Sequence, residues 1–297
     1  MNIILYCDKV IKRKSDYKRG KYKLKANKMI KKLIILGIVS AIGIATIGCG
    51  KSAGKTNSSS GTYNKDELVI GLDDQFVPMG FRDESGELVG FDIDLAKAVG
   101  EKLNKKVKFQ PINWGMKESE LNGGNIDLIW NGYSISDERK EKVEFSKPYL
   151  NNVQIIVTLA DSAINTKADL AGKKVGAQDQ STAVDAVKAD GDTIKTFDGG
   201  DLITFEDNNQ ALMDLEAGRL DAIVVDEILA RYYIKARGEQ KYKILSDNFG
   251  SEQYAVGIRK GETEFVEEFN KALDEVINDG QATSISQKWF DEDIIVK

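Results

Sequence analysis

The 297-residue chain contains no histidine and two cysteines. The missing histidine removes Ser-His and Cys-His catalysis, histidine-based zinc sites and the side chain most used as a general base near neutral pH. Cys7 and Cys49 both precede the globular part, so neither a disulfide nor a cysteine nucleophile is expected within it. The uncharged run Leu33–Ile47 has 15 residues, fewer than the roughly 20 that span a bilayer. A phosphate-binding loop is missing as well. "GKSAGKT" (Gly50–Thr56) ends correctly, but the first glycine of G-x-x-x-x-G-K-[ST] falls on Cys49. Positive charge is scarce after the N-terminus. Residues 1–48 hold 12 Lys/Arg and 2 Asp/Glu, and the other 249 hold 30 against 45, a net charge of −15. So acidic a body argues against nucleic acid or an anionic surface as a partner.

Lys31 and Lys32 precede the apolar run and small residues close it, the layout of a secretory signal. With Cys49 directly after Gly48, the segment resembles the signal of a bacterial lipoprotein. That implies cleavage before Cys49, a lipid on it and attachment to a membrane. Thr46 stands where such signals usually carry leucine; a cleaved signal without lipid, or an uncleaved anchor, is the alternative. The basic residues 1–28 read as a start-site artefact ahead of Met29, leaving residues 1–48 as the signal segment. Residues 49–64 then form the lipidated cysteine and a polar, flexible linker.

Beyond the linker, strands and helices alternate. Strands are expected at Glu67–Leu72, Val107–Ile112, Ile126–Trp130, Val153–Leu159, Lys173–Gln178, Thr193–Phe197, Asp221–Asp226 and Gln253–Lys260. Helices are expected at Phe91–Asn104, opened by Asp92, in "KESELNGG" (Lys117–Gly124), at Glu264–Asn278 and from about Thr283 to Phe290. Ile93, Ala96, Val99 and Leu103 form the apolar face of the first helix. "LNGGNIDLIWNG" (Leu121–Gly132) and "LEAGRLDAIVVD" (Leu215–Asp226) share Leu, Gly, an apolar residue and Asp at matching offsets. Both read as a helix stopped by glycine and followed by a buried strand, which suggests two lobes on one plan. Two crossings between lobes would form a hinge with a cleft, and ligands of open α/β sheets lie off the carboxyl ends of strands. Lobe 1 is expected at residues 65–152 and 252–297, and lobe 2 at 153–251.

The strand ends supply acids, amides, hydroxyls and aromatics, a set suited to a small zwitterion. "GFDIDLAKAVGEKL" (Gly90–Leu103), "DLIWNGYSISDERKEKVEFSKPY" (Asp127–Tyr149) and "VGAQDQST" (Val175–Thr182) then make the chain specific. From about Leu68 to its end, including "KWF" (Lys288–Phe290), it resembles the family 3 bacterial extracellular solute-binding proteins, the amino-acid receptors of ABC importers. The resemblance implies a two-lobed type II periplasmic-binding-protein fold, each lobe a mostly parallel sheet flanked by helices, with a two-strand hinge. It implies no enzyme activity, cofactor or metal, and an ABC permease as partner of a monomeric receptor.

Residue by residue, the resemblance implies that Arg139 clamps the ligand carboxylate, with Ser134 and Thr182 as hydroxyl donors and Gly132 as a backbone contact. Asp226 would take the ammonium, Phe76 and Trp114 would sandwich the side chain, and Asp73 and Gln178 would face it. Each residue also has a plain structural reading. Arg139 sits in a charge run of the kind that usually coats a helix. Asp226 can cap the helix after it. Phe76 and Trp114 can be core aromatics, and Asp73 can close a turn with Asp74. "DGGD" (Asp198–Asp201) lacks the calcium-loop pattern and is set aside. Polar Asp73 and Gln178 favour a polar or cationic ligand, arginine-like ones slightly. Two rivals remain at this stage: a dehydratase-like enzyme using Asp73, Asp74 or Asp226, and a sensor not coupled to transport.

Overall fold

The computed structural model describes residues 61–297, so the signal run and Cys49 lie outside the described residues. Strand β1 (Glu67–Leu72) leads through a small antiparallel sheet, β2 (Gln75–Phe76), β3 (Gly80–Arg82) and β4 (Leu88–Val89), into helix α1 (Phe91–Lys102). β5 (Lys106–Pro111), α2 (Lys117–Asn122), β6 (Leu128–Ile129), α3 (Asp137–Lys142) and β7 (Val143–Phe145) follow, and β8 (Leu150–Leu159) leaves for the second half. There β9 (Val175–Gln178), α4 (Thr182–Ala189), α5 (Gly191–Ile194), β10 (Ile203–Phe205), α6 (Asn208–Glu216), β11 (Ala222–Asp226) and α7 (Glu227–Arg237) precede the returning β12 (Tyr242–Tyr254). β13 (Gly257–Arg259), α8 (Thr263–Asn278) and α9 (Gln281–Phe290) close the chain on the first half.

The two large sheets run β5-β1-β6-β13-β7 and β10-β9-β11-β8-β12. Taken position by position they are the same sheet. In each, three strands pair in parallel and the last two join antiparallel. The antiparallel pairing begins with β13 in one and β8 in the other, the strands adjoining the crossings between halves. The fold is therefore the two-lobed α/β architecture that the resemblance implied, each sheet mostly parallel with one reversed strand, β13 in the first and β8 in the second.

The short internal repeat has a structural counterpart. Gly124 and Gly218 take left-handed backbone, with φ of 77° and 67°, immediately after α2 and α6. Asp127 and Asp221, three residues on, do the same job in each lobe. Asp127 accepts from Val69 N at 3.0 Å and Asp221 from Lys174 N at 2.8 Å, each pinning the neighbouring parallel strand.

The hinge is the antiparallel pair β8–β12. Its register runs from Leu150 opposite Tyr254 to Leu159 opposite Tyr242, with shifts between Ile244 and Asn248 and between Asn248 and Ser251. At one end Tyr254 bridges to Ser134 in the first lobe. Farther along, Gln154 to Val157 pair with β11 in the second.

Three expectations change. Thr193–Phe197 is not a strand. Asp190 caps a short helix through Thr193 N, and Ile194 and Phe197, three residues apart, turn into the second-lobe core as a helical spacing allows. The edge strand is instead Ile203–Phe205, whose largely exposed side chains leave no apolar alternation to read. Asp92 does not cap α1 either; the cap position is Gly90, and Phe91 N and Asp92 N donate to Pro78 O and Met79 O, both at 2.8 Å. Asp92 is buried and accepts from Gly132 N at 2.7 Å. Finally, Gln253–Lys260 is divided between the end of β12 and β13. Ile93, Ala96, Val99 and Leu103 are buried as expected, and Leu95 and Ala98 join them because α8 and α9 cover α1 from outside.

Candidate functional site

The carboxyl ends of the central strands from both sheets meet between the lobes, and the lobes are drawn together there. Asp73 follows β1. Its Oδ1 accepts from Gln75 N at 2.9 Å, the turn-closing role, while its Oδ2 accepts from Gln178 Nε2 across the cleft at 2.9 Å. Gln178 ends β9 and is fixed from behind by Asn208 Nδ2, which donates to its Oε1 at 2.9 Å. Burial pushes the Asp73 carboxyl up to about 6, partly offset by the Gln75 and Gln178 hydrogen bonds.

Arg139 lies in the charged helix α3 but is only 4% exposed. Ser136 caps that helix, accepting from Arg139 N, and aims the side chain inward. The guanidinium lies 4.5 Å over the Tyr133 ring. Nη1 donates to Ser134 O at 3.0 Å and Nη2 crosses to Gln180 O at 3.2 Å. Gln180 presents that carbonyl from left-handed backbone, φ 56°, just ahead of α4. Lys117, 2% exposed, reaches the same carbonyl at 3.1 Å. Burial, then the charge of Arg139, lowers the Lys117 ammonium to about 8.

A second network crosses the cleft at the hinge. Thr182 Oγ1 donates to Ser134 Oγ at 3.2 Å, and Ser134 Oγ donates to Glu252 Oε1 at 2.6 Å. Asn152 Nδ2 and Gln154 Nε2 each donate to both Glu252 Oε1 and Asp226 Oδ1. Strand register explains this: Asn152 pairs with Glu252, and Gln154 with Asp226. Tyr254 Oη completes the set, donating to Asp226 at 2.7 Å. Burial, followed by the nearby negative charge of Glu252, holds the Asp226 carboxyl well above the usual carboxylate range. Asp226 occupies the cap position of α7 without making a side-chain cap bond, so its carboxylate serves the cleft.

Gly132 and Phe76 adjoin, because a Cβ on Gly132 would lie 2.8 Å from the Phe76 ring. Phe76 belongs to the main core cluster. Trp114 packs in a separate cluster, edge-on to Tyr133 at 5.9 Å with the Lys117 ammonium 5.1 Å from its ring centroid. Among the described residues no ring contact joins Phe76 to Trp114. The nine candidate residues thus fall in three groups: Asp73 with Gln178; Arg139 with Ser134, Thr182 and Asp226; and the separated aromatics, Phe76 beside Gly132 and Trp114 apart from them.

Sequence reasoning missed Glu252, Asn152, Gln154 and Lys117. Asn152 and Gln154 carry a faint signal, two polar residues at strand spacing beside the buried run "IIVT". Glu252 and Lys117 carry none, since each sits in a polar stretch that reads as surface. Asp198–Gly200 forms an exposed turn, and among the described residues no group of three or more acidic or sulfur ligands gathers to hold a metal ion.

Residues 68–292 match the bacterial extracellular solute-binding proteins, family 3. The chain is 30% identical over 271 residues to the L-cystine-binding protein TcyJ of Escherichia coli (strain K12), covering 89% of this chain and 99% of that protein. A solved ABC uptake transporter substrate binding protein from Streptococcus pneumoniae, with bound histidine, superposes with a TM-score of 0.76 at 42% identity, covering 78% of this chain and 95% of that one. An ancestral arginine-binding protein bound to arginine gives a TM-score of 0.70 at 40% identity, over 76% and 99%. These relatives are binding proteins, not enzymes. With the family spanning both lobes and the hinge, the chain belongs to the family 3 bacterial extracellular solute-binding proteins.

Proposed function

We propose that this protein is a lipid-anchored extracytoplasmic receptor that closes its lobes on one amino acid and delivers it, as a monomer, to an ABC permease. The lipid would be on Cys49, and residues 49–64 would tether lobe 1 (65–152 and 252–297) and lobe 2 (153–251) to the membrane. The observation that carries the reading is the buried guanidinium of Arg139 on one lobe, with the buried carboxylate of Asp226 on the other. Such a pair is matched to the two ends of a zwitterion. A guanidinium fork holds a carboxylate with two parallel hydrogen bonds, and a desolvated carboxylate holds an ammonium strongly. Ser134, Thr182 and the Gly132 backbone complete the grip on the ligand's α-groups.

The side chain would extend past Phe76 and Trp114 toward Asp73 and Gln178. Around that path stand three acids, Asp73, Asp226 and Glu252, against two cations, Arg139 and Lys117. A ligand carrying an extra positive charge offsets the difference, so a cationic amino acid is favoured over a neutral one. Relatives whose bound or named ligands are histidine, arginine and cystine support a polar or cationic class. Because ligand groups bridge both lobes only on closure, binding would shift the protein toward the closed form that a permease recognises.

The test is competition between an amino acid that binds and its two blocked forms. The α-amide loses the carboxylate charge and the N-acetyl form loses the ammonium. Each is expected to bind at least about a hundredfold more weakly, as truncating one partner of a buried charged pair does. An N-acetyl form that competes as well as the parent would remove Asp226 from the ammonium role. An equally good α-amide would remove Arg139 from the carboxylate role.

A further inference from the structure

Asp226 is not the only carboxylate at its end of the cleft. Glu252 comes from hinge strand β12 and turns its Oε1 toward Ser134 Oγ at 2.6 Å and toward Asn152 Nδ2 and Gln154 Nε2, both at 2.8 Å. The same two amide nitrogens serve Asp226 Oδ1, so both carboxylates converge on one pair of donors. Gln154 Nε2 carries two hydrogens for three acceptors, because Thr182 Oγ1 stands 3.2 Å away as well. Donors are therefore short where the two carboxylates meet on the same amide nitrogens. Acceptors, by contrast, are in surplus. Asn152 Oδ1 and Gln154 Oε1 are buried without a hydrogen-bond partner, in side chains 3% and 1% exposed. Two carboxylates and two unused amide oxygens form an acceptor set for a group with three N–H donors.

We infer that Glu252 is a second ammonium-holding carboxylate, and that it shares one proton with Asp226 which the ligand's ammonium displaces to solvent. This rests on the amino-acid reading above and deepens it. Without an ammonium, two carboxylates on the same donors repel, and one proton between them relieves the repulsion. When the ammonium enters, its own N–H donors take over that role, and the proton leaves as hydronium or to buffer. The shift of Asp226 above the usual carboxylate range agrees with this.

Asp92, buried behind Tyr149 and raised to about 7, and Asp73, raised to about 6, lie outside the shared donors, so the Glu252→Gln comparison separates their protons from the one on Asp226. Tyr254, from β12, donates to Asp226 and is held protonated by burial. Tyr149 stands behind Tyr254, with ring centroids 6.5 Å apart, and burial holds it protonated too. Arg139 approaches from α3 through the Ser134 carbonyl and is always charged. Glu227, next to Asp226 on α7, pairs outward with Arg231 at 2.7 Å. β8 and α4 present the neutral Asn152, Gln154 and Thr182. Asn152 and Glu252 also line a groove of about 1200 Å³ bounded by Pro78, Arg231 and Trp289, and this gives the proton a way out.

The experiment is calorimetric titration of the full chain with an amino acid that binds, repeated near pH 6.5 in buffers of different ionisation enthalpy. The wild type is expected to release up to one proton per ligand. Its Kd is expected to rise about tenfold for each pH unit of acidification below the shared proton's titration. Glu252→Gln should bring both the release and the pH slope close to zero, a change that lost packing alone would not produce. Binding with no proton release by the wild type, or release that Glu252→Gln leaves intact, overturns the inference while the amino-acid reading stands. Absence of binding by any amino acid overturns both.

Discussion

Arg139→Ala is expected to weaken amino-acid binding by at least about a hundredfold, corresponding to roughly 3–5 kcal/mol lost when one partner of a buried charged contact is removed. The size follows from where the guanidinium lies. It is almost fully buried, stacked on Tyr133, fixed to Ser134 O in its own lobe and joined to Gln180 O in the other. Alanine leaves a ligand carboxylate desolvated beside Lys117 alone, whose lowered ammonium already reaches Gln180 O. Arg139→Lys keeps the charge and loses the fork, so it should recover only part of the affinity. Calorimetry on both variants, with circular dichroism to verify folding, reads the result. A folded Arg139→Ala protein binding within threefold of wild type would sink the carboxylate assignment.

Gly90→Ala is expected to be the most damaging small substitution for stability. Gly90 has φ 146°, and a Cβ there would lie 2.2 Å from Met79 O and 2.6 Å from Met79 C. Both are backbone atoms, so no side chain can rotate away. Met79 O also receives Asp92 N in the first turn of α1, and Asp92 itself holds Gly132 N. The clash therefore displaces the helix, the small sheet and the ligand-side loop together. A cost of about 3–5 kcal/mol is expected, near the top of the range for point substitutions, or roughly a 10 °C fall in Tm for a domain of this size. Gly86→Ala is the control. Its φ of 89° is also left-handed, but a Cβ there meets nothing within 4 Å, and it should cost only about 1–2 kcal/mol. Equal melting temperatures for the two variants would show that the Met79 clash has no weight.

Much of this architecture is legible in the sequence because it rests on local rules. The Leu-Gly-Asp repeat at Leu121–Asp127 and Leu215–Asp221 encodes a helix stop and a strand-pinning carboxylate, and both lobes use it alike. Ile93, Ala96, Val99 and Leu103 announce α1 through their spacing. Arg139 was legible only through resemblance, since "DERKEK" reads as solvated surface until Ser136 turns one of its residues inward. What stayed hidden depends on long-range pairing. Asp92 resembles an ordinary first-turn acid, and only the approach of residue 132 reveals its partner. Glu252 acquires meaning from the register that sets it opposite Asn152, about 100 residues away. Thr193–Phe197 misled because Thr and Ile favour strands, whereas Ile194 and Phe197 are spaced for a helical turn.

The most direct test of the central claim is calorimetric titration of protein that has been unfolded and refolded to strip carried-over ligand. Arginine, lysine, histidine, glutamine and cystine would each be added in turn. The account predicts that one or more binds with micromolar or tighter affinity at one molecule per chain, and that Asp226→Ala abolishes the heat. A well-folded protein that binds none of the five would contradict it.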